Sequence, residues 1–215
     1  MSNEEKNIKD YNSYLASFIF LNLIIYIFVS LGKVFISEIL SEPYIIPLIE
    51  SGILFLLFSL LAFILSGLLS SDNKARLVYW KIKNPYPSFK SFTELADEDN
   101  RINKSILKDK YGELPTEPKD QHDLWYRIFK KDQFDPMIFD SHRTALIFRD
   151  LTSISFLLLI LSPIVIFITI FVLKVQFNYL WLYVVWLVFQ YLILSKSAKD
   201  RGKRFVCNVL ANVSV

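Results

Sequence analysis

Cysteine, glycine and histidine are scarce in this chain, and each shortage excludes a class of site. Cys207 is the only cysteine, so the chain can form neither an internal disulfide nor its own thiolate metal cluster. Only Gly112 lies between residues 71 and 150, which leaves no glycine loop for cradling phosphates. His122 and His142 are too far apart in sequence for the close helical spacing of a zinc pair. We therefore predict no catalytic centre, no metal and no cofactor.

An excess of charge of one sign is also missing, because 24 basic residues nearly balance 21 acidic ones. The net charge of +3 gives no argument for nucleic-acid binding by the chain as a whole. Apolar residues, in contrast, are abundant: 53% of the chain is hydrophobic and 16% is aromatic. This composition is typical of a protein with about half its length in lipid.

The apolar residues fall into four runs, each near the roughly 20 residues that a membrane-spanning helix needs. A polar segment precedes the first run and no small-residue cleavage site follows it, so we expect it to remain as an anchor. The pattern predicts an all-α membrane protein with four transmembrane helices and a cytosolic helical module between the second and third. The predicted spans are residues 14–31, 45–69, 151–173 and 177–194.

Four parts of the chain follow from these spans. Residues 1–70 hold an N-terminal cytosolic segment and spans one and two, and residues 71–150 form the module. Residues 151–195 hold spans three and four, and residues 196–215 form a basic and apolar tail. The apolar run at its end, residues 206–215, is too short to span, and we expect it to pack either under the module or against a neighbouring subunit.

Basic residues near the span ends predict the orientation, because cytosolic loops are enriched in Lys and Arg. The two short loops between paired spans hold only Lys33 and Lys174, whereas the module and the tail are rich in basic residues. Both termini and the module are therefore expected in the cytosol.

Prolines and caps divide the module into helical pieces. A capping box of Ser91 and Glu94 predicts a helix over 92–111 that ends at Gly112. A second helix is expected over 120–131, and a third from Asp140 or Ser141. No breaker follows before the apolar residues begin, so the third helix should continue into span three.

Acidic residues near the outer side are candidates for a pore mouth. Glu38, Glu42 and Glu50 precede or lie inside the second span, and a homo-oligomer would repeat them as rings that favour cations. The alternative for Glu50 is a plain position at the water interface. Pro163 in the third span removes a backbone donor and is a candidate hinge; the alternative is a structural proline that the span tolerates.

Basic and aromatic residues alternate at two places in the module, which is a pattern that can hold phosphates and stack bases. An oligonucleotide or a nucleotide is therefore a candidate ligand. The alternative for the first set is contact with anionic membrane lipids. The candidate ligand-binding residues are Lys74, Arg76, Trp80, Lys81 and Lys83 in the first set, and Arg127, Lys130 and Lys131 in the second.

The layout of the whole chain resembles small membrane proteins of bacterial anti-phage defence. The features compared are Trp80, the Asn84-Pro85-Tyr86-Pro87 break, the Leu124-Trp125-Tyr126 segment, and the approach from Ser141-His142-Arg143 to Arg149-Asp150. The chain looks most like channel-forming effectors of the Hailong system, with the membrane subunit of the Kiwa system second. The Hailong resemblance implies a homotetramer whose cytosolic chamber senses oligodeoxynucleotides.

The sequence thus predicts a homo-oligomeric ion channel gated by a nucleic-acid or nucleotide signal, with depolarisation as its output. The alternative is a non-conducting membrane anchor that serves as a sensor or scaffold for a cytosolic partner protein. Stable co-purification with that partner would favour the second hypothesis.

Overall fold

The computed structural model describes residues 12–31, 42–172 and 180–214, and the regular elements in these ranges are all helical. This confirms the predicted all-α fold. The α-helices longer than one turn are α1 (Asn12–Leu31), α2 (Glu42–Leu68), α3 (Ser71–Tyr79), α4 (Lys104–Tyr111), α5 (Pro118–Asp132), α6 (Pro136–Phe167) and α7 (Leu180–Val213).

Three of these helices are long and apolar enough to cross a membrane, which makes the chain a membrane protein. They are α1 over Asn12–Val29, α6 with its following π-helical turn over Pro136–Phe171, and α7 over Leu180–Val213. Within the described residues, the apolar stretch of α2 is Ser59–Leu68, which is shorter than a span. The fourth span and the placement of the module on one side of the membrane stay predictions.

The described residues form two compact units. The first, here called the polar unit, contains residues 71–149 and residues 195–214. The second, here called the apolar unit, contains residues 12–31, 42–70, 150–172 and 180–194. The tail that follows the last predicted span is thus the continuation of α7, and it belongs to the polar unit.

The end of α7 supplies part of the core of the polar unit. Val209 and Leu210 are fully buried and pack in one cluster with Leu107, Ile128 and Ile138. The nonpolar area that these side chains remove from water is the main stabilising term for such a unit. Of the two packings that the sequence left open for the tail, the structure shows the one against the module.

A continuous helix over 92–111 is wrong. Ser91–Leu95 is a π-helical turn, and a short turn Ala96–Glu98 follows it before α4 begins. The expected capping box does not form, because Ser91 Oγ donates to the Gln121 backbone oxygen at 3.5 Å and Glu94 pairs with Lys90. Gly112 does end α4, with a φ of +79° that suits glycine.

Prolines open both helices that follow. Pro118 begins α5, where its missing N–H costs nothing. Asp135 caps α6 by accepting hydrogen bonds from the N–H groups of Met137 (2.9 Å) and Ile138 (3.3 Å), so α6 starts earlier than predicted. The prediction that this helix continues past Asp150 is confirmed, since α6 ends at Phe167 and contains Pro163.

Candidate functional site

The first predicted basic set lies on α3 and in the loop after it, where two of its members are already engaged in local structure. Lys74 is only 8% exposed. The Arg76 guanidinium donates to the Ile82 carbonyl oxygen at 3.1 Å and to Asn73 Oδ1 at 3.1 Å. Arg76 therefore ties the loop after α3 back to the helix, and these hydrogen bonds are enough to explain an arginine at this position.

Trp80, Lys81 and Lys83 in the same loop are exposed. Trp80 has a positive φ of 55°, which only a fixed turn keeps for a large side chain. The ammonium group of Lys199, from α7, lies 3.5 Å from the centroid of the Trp80 ring. A cation–π contact at this distance is favourable, and the cation comes from a residue that the sequence pattern did not single out.

The second predicted set lies on α5 and does place cations over aromatic rings. Lys130 Nζ is 5.5 Å from the centroid of the Tyr126 ring and 5.9 Å from that of Phe129. Lys131 Nζ lies 5.6 Å from the centroid of the Tyr111 ring. The predicted pairing of cations and rings is thus present, although these contacts are made within the chain.

Arg127, the third member of that set, lines an open depression together with Glu113, Asp120 and Asp123. Three carboxylates beside one guanidinium leave this surface with a negative balance. An anionic ligand is therefore disfavoured at Arg127.

A different place in the polar unit has the shape of a ligand site. It is a cavity of about 390 Å³, within the roughly 300–1,000 Å³ of small-molecule sites. Four helices line it: α3 contributes Asp72 and Tyr79, and α5, α6 and α7 contribute residues at positions i, i+3 or i+4, and i+7 or i+8, so each of these three presents one face. These residues are His122, Trp125, Tyr126 and Phe129 on α5, His142, Ala145, Leu146 and Arg149 on α6, and Ala198, Gly202, Phe205 and Val206 on α7.

His122 lies at the centre of a group of near-parallel rings. Its ring centroid is 4.7 Å from that of Phe89, 5.9 Å from that of Tyr86 and 6.1 Å from that of Trp125. Its Nδ1 shares a hydrogen bond of 2.6 Å with Ser88 Oγ. These contacts fix the imidazole in one orientation on the cavity wall.

Burial lowers the pKa of His122, although the nearby carboxylates of Asp123 and Asp72 act in the opposite direction. The imidazole is therefore neutral at pH 7. A neutral ring can stack on a flat ligand and still offer one donor and one acceptor.

His142, which also lines the cavity, is held between two other rings. Its ring stacks on Phe205 with centroids 4.7 Å apart and meets Phe129 edge to face at 5.1 Å. Its Nδ1 is buried and has no hydrogen-bond partner among the described residues. A buried polar atom without a partner costs free energy, and a ligand in the cavity could supply that partner.

The lining also includes two tyrosine phenols, one aspartate carboxylate and one arginine guanidinium. Tyr86 Oη donates to Asp72 Oδ1 at 2.9 Å, and burial followed by this hydrogen bond raises the pKa of Tyr86. Burial also raises the pKa of Tyr79, against the opposing effect of the Arg149 cation. Both phenols are therefore protonated at pH 7 and can act as donors. Arg149 is the cation that this cavity offers to an anionic group.

Gly202 lets α7 approach the wall of the cavity closely. A Cβ built at this position would overlap Tyr79 Oη and lie 3.6 Å from Pro87 Cγ. The close approach of Tyr79, and not an unusual backbone conformation, therefore favours glycine here, because Tyr79 would have to shift to admit a Cβ.

None of the eight predicted ligand-binding residues lines this cavity, and Arg149 was not among them. The prediction relied on exposed charge, whereas the cavity uses buried rings. One signal was present in the sequence: residues 122, 125, 126 and 129 have the spacing of a helix face. The spacing of the two histidines excludes a zinc pair and does not point to a stacking site.

The candidate pore residues have varied positions. Glu38 lies outside the described residues, and Glu42 is the first residue of α2. Glu50 lies on α2 with its side chain exposed. Pro163 is exposed within α6 and does not end the helix. Roles in a pore or a hinge for these residues stay predictions.

In the described part of the chain, no three His, Cys, Asp or Glu side chains come together as a metal site. The chain matches no family model, and no curated protein or solved structure is significantly similar to it. The cavity and the helices that form it are therefore the features from which a function is inferred.

Proposed function

We propose that this chain is a ligand-gated ion channel of the cell membrane, in which a nucleotide or a short nucleic acid binds the aromatic cavity. One observation carries the proposal. The two helices that contribute His142 to Arg149 and Ala198 to Val206 to the cavity, α6 and α7, are also two of the three candidate spans. A ligand that moves these walls acts directly on membrane-spanning helices.

The lining favours a flat heteroaromatic ligand. His122, Trp125, Tyr86 and Phe205 offer ring faces, and stacking of a base on an aromatic side chain contributes about 1–3 kcal/mol. The buried Nδ1 of His142 provides a polar atom that a ring nitrogen or an amino group could satisfy. A nucleobase has both properties.

The charges limit how many phosphates the ligand carries into the cavity. Arg149 can bind one phosphate, since a guanidinium matches phosphate geometry well. Asp72 in the same cavity repels further negative charge. We therefore favour a nucleoside monophosphate, or one nucleotide of a short single strand.

The output is an ion current across the membrane. The chain forms a homo-oligomer of four-span subunits, with α2 as the fourth span and both termini in the cytosol, and the resemblance favours a tetramer. Glu38, Glu42 and Glu50 line the outer mouth and favour cations. Pro163 absorbs the movement of α6. Opening of the pore depolarises a bacterial inner membrane, which is the effector step of anti-phage defence. This function depends on ligand binding and conduction and needs no enzymatic step.

Binding of the ligand can be tested apart from conduction. The purified full-length chain is heated with dAMP, AMP or inorganic phosphate. At about 100 times its dissociation constant, a ligand stabilises the folded state by about 2.7 kcal/mol. We expect dAMP or AMP to raise the melting temperature and phosphate alone to have little effect.

A cavity-filling variant gives the matched control. Ala145→Leu adds apolar volume to the cavity wall without changing charge, and Ala16→Leu makes the same change at an exposed position of α1. The nucleotide shift should vanish in Ala145→Leu and persist in Ala16→Leu. A shift of equal size in both variants would place the ligand outside the cavity and contradict the proposal.

Exposed apolar side chains favour the second candidate function, a non-conducting sensor or scaffold for a partner protein. Phe134 is 80% exposed and Met137 is 43% exposed at the turn between α5 and α6. Apolar residues grouped on a surface are a common feature of protein interfaces. This function predicts that Phe134→Ser abolishes co-purification of a cytosolic protein and that Glu50→Gln has no effect.

A further inference from the structure

The loop after α3 exposes apolar and basic side chains in alternation. Trp80 is 59% exposed and Ile82 is 80% exposed, and Lys81 and Lys83 beside them are exposed as well. Apolar side chains that are exposed together and bordered by charged residues are typical of an interaction surface. The loop therefore offers apolar area and positive charge to a partner at the same place.

The backbone of this loop has a fixed and unusual conformation. Trp80 and Asn84 have φ values of 55° and 49°, in a region that is uncommon for residues other than glycine and rare for a large aromatic residue. The Arg76 guanidinium donates to the Ile82 carbonyl oxygen at 3.1 Å, which ties the middle of the loop to α3. Unfavourable backbone conformations that a fold maintains are concentrated at functional sites. The exposure of Trp80 and Ile82 is thus a property of a fixed turn.

A basic stretch of α7 lies beside this loop. The ammonium group of Lys199 is 3.5 Å from the centroid of the Trp80 ring, and exposed Lys196 is one turn earlier on the same side of α7. Residues 195–204 contain five basic residues and one acid, Asp200, and residues 80–83 contain no acid. The residues that combine here, called the basic surface, are Trp80, Lys81, Ile82, Lys83, Lys196 and Lys199.

The position of the two α7 lysines in the chain favours a membrane lipid as the partner. The apolar run of α7 ends at Leu194, and Lys196 and Lys199 follow it by two and five residues in the same helix. At 1.5 Å per residue, Lys199 is about 8 Å farther along α7 than Leu194. The headgroup layer on each side of a bilayer is roughly 5–8 Å thick. Where α7 spans a membrane, both lysines are therefore at the depth of the headgroups.

The residue types of the basic surface match the headgroup layer of an anionic membrane. Tryptophan is enriched at membrane interfaces, and lysine can lay its aliphatic stem along apolar groups while its ammonium group contacts phosphate. Basic residues next to a membrane attract anionic lipids. A nucleic acid is a poorer match, because the aliphatic side chain of Ile82 has no flat face on which a base could stack.

We propose that the basic surface binds anionic phospholipids. Its four lysines contact the headgroup phosphates, and Trp80 and Ile82 insert beside the glycerol groups and the first methylenes of the acyl chains. The binding is separate from the aromatic cavity, because none of the six residues lines that cavity. It requires neither a nucleotide nor an ion current, so it can fail or succeed independently of the proposed channel.

Quenching of Trp80 fluorescence by brominated lipids tests this proposal with the purified full-length chain in uncharged detergent. Dibrominated phosphatidylglycerol or phosphatidylcholine is titrated into the micelles, and the Trp80 signal is the difference between the wild type and Trp80→Phe. Phosphatidylglycerol should quench this signal at a lower concentration than phosphatidylcholine does. In Lys81→Gln/Lys83→Gln, the phosphatidylglycerol concentration needed should rise about fivefold for each lysine, or roughly thirtyfold in total.

The charge control is Lys108→Gln/Lys119→Gln, which removes two exposed lysines elsewhere in the polar unit and should leave the titration unchanged. Ile82→Ser should weaken quenching by both lipids, whereas Phe134→Ser, at a side chain that is also 80% exposed, should not. All of these changes are at exposed side chains, where substitutions alter stability little.

Equal quenching of the Trp80 signal by the two lipids in the wild type would overturn the proposal. So would a phosphatidylglycerol titration of Lys81→Gln/Lys83→Gln that matches the wild type. A Trp80 signal that responds to a short oligodeoxynucleotide and to neither lipid would assign the basic surface to nucleic acid and contradict lipid binding.

Discussion

His122 shows how its surroundings set the chemistry of one side chain on the cavity wall. The ring is stacked among Tyr86, Phe89 and Trp125 and is partly removed from water. Burial disfavours the imidazolium more than the nearby Asp123 and Asp72 favour it, so the pKa is lowered from the ordinary value of 6.5. The folded protein therefore prefers the neutral ring.

This lowered pKa predicts a loss of stability in acid. Below about pH 6.5 the unfolded chain binds a proton at His122 that the folded chain binds only at lower pH, so the free energy of unfolding falls as the pH falls. Thermal melts from about pH 8 to about pH 5 should show this decline. His122→Phe keeps a flat ring and removes the titration, so its profile should be flatter. Identical profiles would show that His122 does not contribute.

The close approach at Gly202 predicts that adding one methyl group there lowers the stability of the fold. Gly202→Ala places a methyl group against Tyr79 Oη and should cost about 1–3 kcal/mol of folding free energy. Removing that oxygen with Tyr79→Phe should recover part of the loss in a double-mutant cycle followed by chemical denaturation. Gly67→Ala is the control, because a Cβ there meets nothing within 4 Å. An additive cycle would contradict the clash.

Among the elements, the π-helical turn Ser91–Leu95 depends on one side chain from α5. Gln121 is 1% exposed, and its Oε1 accepts hydrogen bonds from the N–H groups of Phe92 (3.0 Å) and Thr93 (3.2 Å). Its Nε2 donates to the Thr116 oxygen at 2.7 Å. The Gln121 amide therefore satisfies backbone N–H groups that a capping side chain next to the turn would otherwise satisfy.

Loss of this amide should weaken the polar unit. Gln121→Leu leaves two N–H groups and one carbonyl without a partner, and we expect a cost of about 2–3 kcal/mol. Gln133→Leu, at the surface end of α5, should change stability by less than about 0.5 kcal/mol. Denaturant titration followed by far-UV circular dichroism measures both. Equal stabilities would mean that the turn does not depend on Gln121.

Local signals explain which elements the sequence predicted correctly. Pro118 and Gly112 fix a start and an end through their own backbones, so α5 and the end of α4 follow from sequence. The uninterrupted helix beyond Asp150 follows from the lack of a breaker. The helix expected from Phe92 failed because Gln121, about thirty residues away, satisfies its first N–H groups instead.

The cavity was beyond sequence reasoning for the same reason. Its walls come from residues near 72–88, 122–129, 142–149 and 198–206, and only tertiary packing brings these segments together. Exposed charge is visible in a sequence, whereas a concave surface is not. The predicted basic residues lie in the same unit as the cavity but do not line it, and their role in binding stays a prediction.

For the whole molecule, the main feature is that α6 and α7 serve two purposes. Each contributes one face to the aromatic cavity, and each is long and apolar enough to cross a membrane. Both helices are continuous from the cavity wall into the apolar stretch, with Pro163 inside α6, and in the proposed channel they are the route by which ligand binding acts on the spans. In the proposed channel, a ligand shifts the equilibrium between the closed and the open state only by the difference in its affinity for these two states.

Cation flux from proteoliposomes, measured with and without dAMP, tests this coupling most directly. Wild-type protein and Ala16→Leu should release cations when dAMP is added, whereas Ala145→Leu, with its cavity filled, should not respond. Cation flux that is absent with every nucleotide, or that is unchanged by a nucleotide already shown to bind, would contradict the account.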